Sequence, residues 1–220
     1  MGYCVIIPAY NAAVNIFEVA TEALLSGAPV LVVDDGSTDT TAGEVERLPV
    51  NLIRHDRNRG KGAALRTGFQ WALSHGFSGV VTLDADGQHD ASAIPLLASS
   101  ACQDGTDILI ASRAVQFGQM AGLRKVWNRF GVWCMRKRTG FDITDSQSGF
   151  RYYSSLLLRS VTLVADGYHL EMEILMKGWR GGFRLGSLPV AARVADGRAT
   201  SHFRPVTDTW NICMTFLRFF

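Results

Sequence analysis

A chain of 220 residues and 24.1 kDa with 47% hydrophobic content carries enough apolar side chain to bury a full core, as one domain or as one domain with an appendage. A formal net charge of only +2 argues against a nucleic-acid partner. Cys4, Cys102, Cys134 and Cys213 lie far apart with no CxxC pair, which excludes a zinc signature and predicts buried thiols in a reducing compartment. Met1 leads almost directly into Tyr3–Ile7 with no basic segment or cleavage site, so no signal peptide is expected. No uninterrupted apolar run reaches the roughly 18 residues that a bilayer span requires, so any membrane contact is expected to be peripheral.

Residues 4–7 read as a short buried strand ended by Pro8, followed by a helical pattern through Leu25. Residues 29–33 form a second strand, closed by Asp34-Asp35-Gly36-Ser37, and a helix over 38–47 follows with Ser37 or Thr38 as its N-cap. Strands are expected over 51–54, 79–83 and 108–111, separated by helices over 63–75, opened by Gly60-Lys61-Gly62, and over 93–103. Continuously apolar strands alternating with helices imply an α/β fold, a mainly parallel sheet covered on both faces. Ligands of such sheets bind at the carboxyl ends of the strands. Four polar clusters fall there: 8–11, 34–37, 84–88 and Ser112-Arg113.

The centre of this pattern is 80–90, Val-Val-Thr-Leu-Asp-Ala-Asp-Gly-Gln-His-Asp. Asp84 and Asp86 flank one small residue where a buried strand should end. With the amide oxygen of Gln88 they offer part of an oxygen shell for Mg²⁺ or Mn²⁺, cations that take one or two protein carboxylates and complete the shell with substrate phosphates. A plain polar turn gives the same residues. His89 reads as a further ligand, as a donor that supports the ligands from behind, or as a lone polar loop residue. Lys61 reads either as a phosphate contact or as a solvated helix start whose glycines allow a tight approach.

Beyond Arg113 the alternation fades. Residues 117–138 interleave Phe117, Met120, Leu123, Trp127, Phe130 and Trp133 with Arg124, Lys125, Arg129, Arg136, Lys137 and Arg138 and contain no acidic residue. This is the pattern of a basic amphipathic helix, either lying on a membrane surface or covering a core with a solvated basic face. Residues 144–151 read as a polar turn leading into Tyr152 and Tyr153, 166–179 as a turn and helix, 183–192 as a strand interrupted by Pro189, and 193–204 as a mobile loop. Glu171 and Glu173 stand two apart, so at most one can face a site. Residues 207–220 are again amphipathic and aromatic. They divide the chain into a main domain over 1–205 and a terminal helix over 206–220, which meets either a membrane or the basic helix.

Five segments in order, Val-Ile-Ile-Pro-Ala-Tyr-Asn, Val-Val-Asp-Asp-Gly-Ser-Thr-Asp, Asn-Arg-Gly-Lys-Gly-Ala-Ala-Leu, Leu-Asp-Ala-Asp-Gly-Gln-His and Ser-Gly-Phe-Arg, resemble the family 2 inverting glycosyltransferases of GT-A fold. The polyprenyl-phosphate sugar transferases of the dolichyl-phosphate mannosyltransferase type are most similar. The resemblance spans about residues 4–204. It implies that Pro8 and Tyr10 line the base and ribose of a nucleotide-sugar donor and that Asp35 contacts the nucleoside. It implies that Asp84, Ala85 and Asp86 are the DxD element, with Gln88 as a further ligand of Mg²⁺ or Mn²⁺. Arg113 matches an arginine near the acceptor phosphate, Arg124 and Asn128 match interface-helix positions at the acceptor head group, and Arg204 or Arg198 matches a C-terminal arginine that closes over the diphosphate. His202 is a further candidate for a phosphate contact. Ala12 departs from the acidic residue that many relatives carry after Asn.

These residues imply an enzyme peripheral to the cytosolic face of a membrane, transferring a sugar with inversion from a nucleotide diphosphate to a polyprenyl phosphate. Such an acceptor is already ionised and needs no base, whereas a sugar hydroxyl would need a carboxylate, for which Asp145 is the candidate. Asp145 also reads as a residue that orients the 148–151 turn. A non-catalytic nucleotide-sugar-binding scaffold would leave Asp84, Asp86, Gln88 and Arg113 without a physical purpose. A nucleotidyltransferase would want a basic glycine loop after the first strand.

Overall fold

The computed structural model describes residues 2–112, 136–137, 140–141, 144–145, 148–191 and 205–218. Its first half runs β1 (Tyr3–Ala9), α1 (Ile16–Leu24), β2 (Val30–Asp34), α2 (Thr41–Glu46), β3 (Asn51–Arg54), α3 (Lys61–Ser74), β4 (Gly79–Thr82), a 3₁₀ turn (Ala91–Ala93), α4 (Ile94–Asp104) and β5 (Ile108–Ser112). The second half adds β6 (Arg151–Ser154), α5 (Ser155–Ser160), α6 (Leu170–Arg180), β7 (Leu185–Pro189) and α7 (Pro205–Arg218). The strands form one sheet in the order β3-β2-β1-β4-β6-β5-β7.

Alternation along each strand divides the interior in two. Cys4 and Ile6 of β1, Leu31 and Val33 of β2, Val80 of β4, Ile108 and Ile110 of β5 and Tyr153 of β6 enter one core, closed by Leu65 and Phe69 of α3, Leu157 of α5 and Ile174 and Leu175 of α6. Val5, Ile7, Val30, Val32, Val81, Leu109 and Tyr152 enter the other, closed by Ile16 and Val19 of α1 and Ile94 and Leu97 of α4. Burying each such side chain contributes about 1.5–3 kcal/mol. The continuous apolar runs at 30–33 and 79–83 follow from serving two cores at once.

Every pairing is parallel except those of β6, which runs antiparallel to both β4 and β5. Of the segment expected as a polar turn over 144–151, the last residue, Arg151, instead opens a central strand with Tyr152 and Tyr153, paired opposite Thr82. Arg151 is fully buried and is tolerated there because Nε donates to the Ser148 carbonyl at 2.6 Å and a terminal nitrogen donates to the Glu171 carbonyl at 3.1 Å. Because β6 is reversed, the residues that precede it reach the same edge of the sheet as the carboxyl ends of β1, β2, β4 and β5.

Other expectations are corrected in detail. The N-cap of α2 is Thr40, because Ser37 and Thr38 are engaged with Asn11: the Asn11 N–H donates to Ser37 Oγ at 2.9 Å, and the Thr38 N–H donates to Asn11 Oδ1 at 2.9 Å. Helix α5, not anticipated, starts where Ser154 Oγ accepts from the Leu157 N–H. The strand over 183–192 shortens to β7 and ends at Pro189. Cys4 is buried, and burial pushes its thiol up to about 12. Cys102 is exposed, contrary to expectation, and Cys213 is intermediate; Cys134 lies outside the described residues.

Helix α7 packs on α6, with Phe216 buried in the first core and Ile212 partly buried against it. Trp210 and Met214 remain exposed. Among the described residues no helix is long and apolar enough to cross a membrane. The expected basic helix lies outside the described residues except for 136–137, and the expected loop over 193–204 lies wholly outside them.

Candidate active site

The loops after β1 and β2 are tied together by side chains that accept from backbone. Asn11 adopts a positive φ of 47°, its turn held by the Ser37 and Thr38 contacts. Thr41 Oγ1 accepts from the Ala12 N–H at 2.8 Å, and Asp39 Oδ2 accepts from the Ala13 N–H at 3.2 Å. Asp34 is fully buried at the end of β2, takes the Ser37 N–H at 3.0 Å and lies 3.2 Å from Arg54 Nε. Asp35, also buried, accepts from the Gly60 N–H at 2.7 Å and the Arg59 N–H at 3.0 Å. Its Oδ1 lies 2.6 Å from His55 Nδ1, while His55 Nε2 lies 2.9 Å from Thr67 Oγ1 on α3. Asp35 thereby fixes the chain that opens α3.

That opening needs glycine. Gly60 has φ +97°, and a Cβ on it would stand 2.4 Å from the Asp166 carbonyl oxygen. The Ala63 N–H donates to the same oxygen at 3.1 Å. The loop before α6 is thus seated on the first turn of α3. Between them lies Lys61, whose ammonium is 2.7 Å from Asp84 Oδ1 and 3.0 Å from Glu171 Oε1 and 5.4 Å from the centre of the Tyr168 ring. Burial alone would lower the Lys61 pKa, but the charges of Asp84 and Glu171 outweigh it and raise it above the ordinary range. The close approach expected of the glycines is present, whereas the Lys61 side chain is only 14% exposed and is not a solvated helix start. Glu171 alone of the two α6 glutamates faces the site. Glu173 instead takes the Val164 and Ala165 N–H groups and the Lys177 ammonium.

Asp84 follows β4 with its side chain 23% exposed, so solvent and ligands can reach it. Burial works to raise its carboxyl, but Lys61 above all, with His89, holds it well below the usual carboxylate range. His89 is 4% exposed, sets Nε2 3.8 Å from Asp84 Oδ2 and lays its ring against Phe150 at 5.5 Å; it is a buried neighbour of the carboxylate. Gly149 closes the other side: a Cβ there would lie 2.3 Å from Asp84 Oδ2. Asp86 accepts the Gln88 N–H at 3.0 Å, and its carbonyl accepts from the Asn15 amide at 3.3 Å. Its carboxyl is raised, by burial first and by the negative charge of Asp84 second. Ala85 turns its side chain into the second core.

Among the described residues no three carboxylate, imidazole or thiolate side chains converge as a closed metal site. The donor set nevertheless fits a hard divalent cation that takes one or two carboxylates here and completes its shell with phosphate and water. The Asp86 carboxyl is raised first by burial and then by the charge of Asp84, and a bound cation would offset that second contribution.

Residues 4–165 match the family model described as Glycosyl transferase family 2. The chain belongs to this family. An undecaprenyl-phosphate mannosyltransferase of Micrococcus luteus is 30% identical over 204 residues, covering 86% of this chain and 83% of its own length. A UDP-N-acetylglucosamine–dolichyl-phosphate N-acetylglucosaminyltransferase of Methanococcus voltae is 30% identical over 208 residues, covering 84% and 83%. Among solved structures, the glucosyl-3-phosphoglycerate synthase of Mycobacterium tuberculosis in complex with Mn²⁺, UDP and glucosyl-3-phosphoglycerate gives a TM-score of 0.75 at 19% identity, covering 99% of this chain and 79% of that one. At that identity the likeness concerns the fold, which is GT-A.

In this glycosyltransferase Pro8 lies on β1 and Tyr10 directly follows it, both half-buried at the edge where Asp35, Asp84 and Asp86 also stand. Asp145 is fully buried, and its negative charge helps to raise the Arg151 guanidinium, together with Tyr153 and Glu171, against the burial that works to lower it. Arg113, Arg124, Asn128, Arg198, His202 and Arg204 lie outside the described residues. The sequence pointed to His89 beside the carboxylate pair, but not to the enclosure of Asp84 by Lys61 and Gly149. Its only local signal was the pair of glycines around Lys61.

Proposed function

We propose that this family 2 glycosyltransferase moves a sugar, with inversion, from a nucleotide diphosphate donor to a polyprenyl phosphate at the cytosolic face of a membrane. Asp84 and Asp86, with Gln88 beside them, would hold Mg²⁺ or Mn²⁺, which supplies Lewis-acid neutralisation of the departing diphosphate. Pro8, Tyr10 and Asp35 line the nucleoside, and Lys61 stands at the diphosphate. Arg113, Arg124, Asn128 and Arg204 keep the acceptor and diphosphate roles that the family resemblance implies. A phosphate oxygen of the acceptor forms its bond to the anomeric carbon as the bond from that carbon to the donor's β-phosphate oxygen breaks. The electron pair leaves with the nucleoside diphosphate, and no proton has to move. The protein's work is positioning and electrostatic stabilisation.

The observation that carries this reading is the complete burial of Asp145, whose charge also acts on the buried Arg151 guanidinium. A carboxylate with no exposed surface and a buried guanidinium to balance is poorly placed to take a proton from a sugar hydroxyl, whereas a phosphate acceptor asks for no base. The two relatives support it from another side: a mannosyltransferase and an N-acetylglucosaminyltransferase by name, they differ in the sugar but share the acceptor class, an undecaprenyl or dolichyl phosphate. The exposed Trp210 and Met214 of α7 suit peripheral membrane contact. The test is transfer of labelled sugar into an organic-extractable product from a panel of GDP- and UDP-sugars with Mg²⁺ or Mn²⁺. Metal-dependent label that Asp86→Ala abolishes is expected. Label that persists in Asp86→Ala would sink the assignment of the metal site.

A further inference from the structure

The Lys61 ammonium is shared between two carboxylates from distant parts of the chain, one of which is half of the DxD pair. The pairing is built rather than incidental. Lys61 occupies the first position of a 14-residue helix, where the helix dipole disfavours a cation. It is held there by Gly60, which the Asp166 carbonyl would exclude if it carried a side chain. Glu171, in the first turn of α6, sits where the dipole favours an anion, and is buried to 7% exposure. Asp84 Oδ1 therefore already has a cationic partner, in a place where electrostatic contacts are weakly screened.

A divalent cation arriving alone must compete with that ammonium for Asp84 and then sit beside the positive charge. A cation arriving with a diphosphate meets a different balance, because the phosphate oxygens offer Lys61 a new anion and release Asp84. We propose that Lys61 makes capture of the divalent cation conditional on the donor's diphosphate, with Glu171 as the residue that keeps the ammonium within reach of both partners. The inference rests on the reading that Asp84 and Asp86 hold a cation serving a nucleoside diphosphate, and it assigns to Lys61 and Glu171 the coupling between the two ligands. Coupling of this kind is reciprocal, so the cation must also tighten nucleotide binding.

The experiment is a titration of the full chain with Mn²⁺, read by the electron paramagnetic resonance signal of the free ion, with and without UDP or GDP. Wild type, Lys61→Met, Glu171→Gln and Asp86→Ala are compared, and circular dichroism verifies folding. In the wild type, Mn²⁺ alone binds weakly and the nucleoside diphosphate tightens it. Lys61→Met binds Mn²⁺ alone about tenfold more tightly, the scale of a nearby unit charge in a partly buried site, and the tightening by nucleotide shrinks correspondingly. Glu171→Gln, which leaves Lys61 wholly to Asp84, binds Mn²⁺ alone more weakly than wild type and serves if Lys61→Met does not fold. Lys61→Met binding Mn²⁺ alone no more tightly than wild type, or Glu171→Gln binding it more tightly, overturns the inference while leaving the metal site intact. Equal Mn²⁺ binding by wild type and Asp86→Ala removes the metal site itself, and the inference falls with it.

Discussion

The two sides of the site use buried carboxylates in opposite ways. After β1 and β2, Asp34 and Asp35 accept from the backbone N–H groups of Ser37, Arg59 and Gly60, so their charges hold loops in place. After β4, the charges of Asp84, Lys61 and Glu171 face one another side chain to side chain, and Asp86 takes one local N–H while feeling the charge of Asp84. A carboxylate bonded to backbone is fixed by the fold. One balanced by a side-chain ammonium answers to whatever ion arrives. On the function proposed, the first side would frame the nucleoside and the second would respond to diphosphate and metal.

The largest effect that sharpens this contrast is at Arg151, which joins the frame of the sheet to the responsive side. Arg151→Met removes the donors to the Ser148 and Glu171 carbonyls and the buried positive charge on which Glu171 and Asp145 act, and should cost about 3–5 kcal/mol of stability in denaturant titrations; a loss below about 1 kcal/mol would mean that the buried guanidinium does not tie these elements together. Gly149→Ala should act on activity more than on folding, since its Cβ would displace the Asp84 carboxylate. A shift of about 1 Å costs about 10²-fold in rate, so transfer should fall by about that factor with the unfolding midpoint nearly kept. On the framing side Asp35→Ala should show the reverse balance, a stability loss of about 2 kcal/mol from the unpaired Arg59 N–H and the His55 imidazole left without its carboxylate, accompanied by weaker donor binding in calorimetry.

The smallest expected effect has the opposite sign. The Asp86 carboxyl is raised in the folded chain, so its ionised form costs stability at every pH above its folded pKa, and the cost fades as pH falls and the group protonates. Without divalent cation, Asp86→Asn should therefore melt higher than wild type at neutral pH and converge with it in acid. A lower melting temperature at neutral pH would place Asp86 with the framing carboxylates.

Much of this arrangement is legible in the sequence because two cores demand it. The apolar runs at 30–33, 79–83 and 108–111 declare strands buried on both faces, and the polar residues after them mark one edge. Strand β6 is not legible: Arg-Tyr-Tyr-Ser reads as polar, and only the long-range partners of Arg151 make it a central strand. Ser37 and Thr38 look like helix caps because the preference is local, but Asn11, 26 and 27 residues away, engages them. The pairing of Lys61 with Glu171 joins residues 110 apart, so neither spacing nor periodicity can announce it. For Asp35, chain order marks the strand exit, while its commitment to the turn at residues 59–60 emerges only in three dimensions.

The most direct measurement of the central claim sets polyprenyl phosphate against the corresponding polyprenol as acceptor, with wild type and Asp145→Asn, under the donor and metal conditions that support transfer. The account predicts labelled lipid from the phosphate alone, with the product sugar inverted at its anomeric carbon, and with Asp145→Asn retaining transfer in proportion to its folded fraction. Transfer to the hydroxyl of polyprenol, abolished by Asp145→Asn while donor binding persists, would contradict it and make Asp145 a general base.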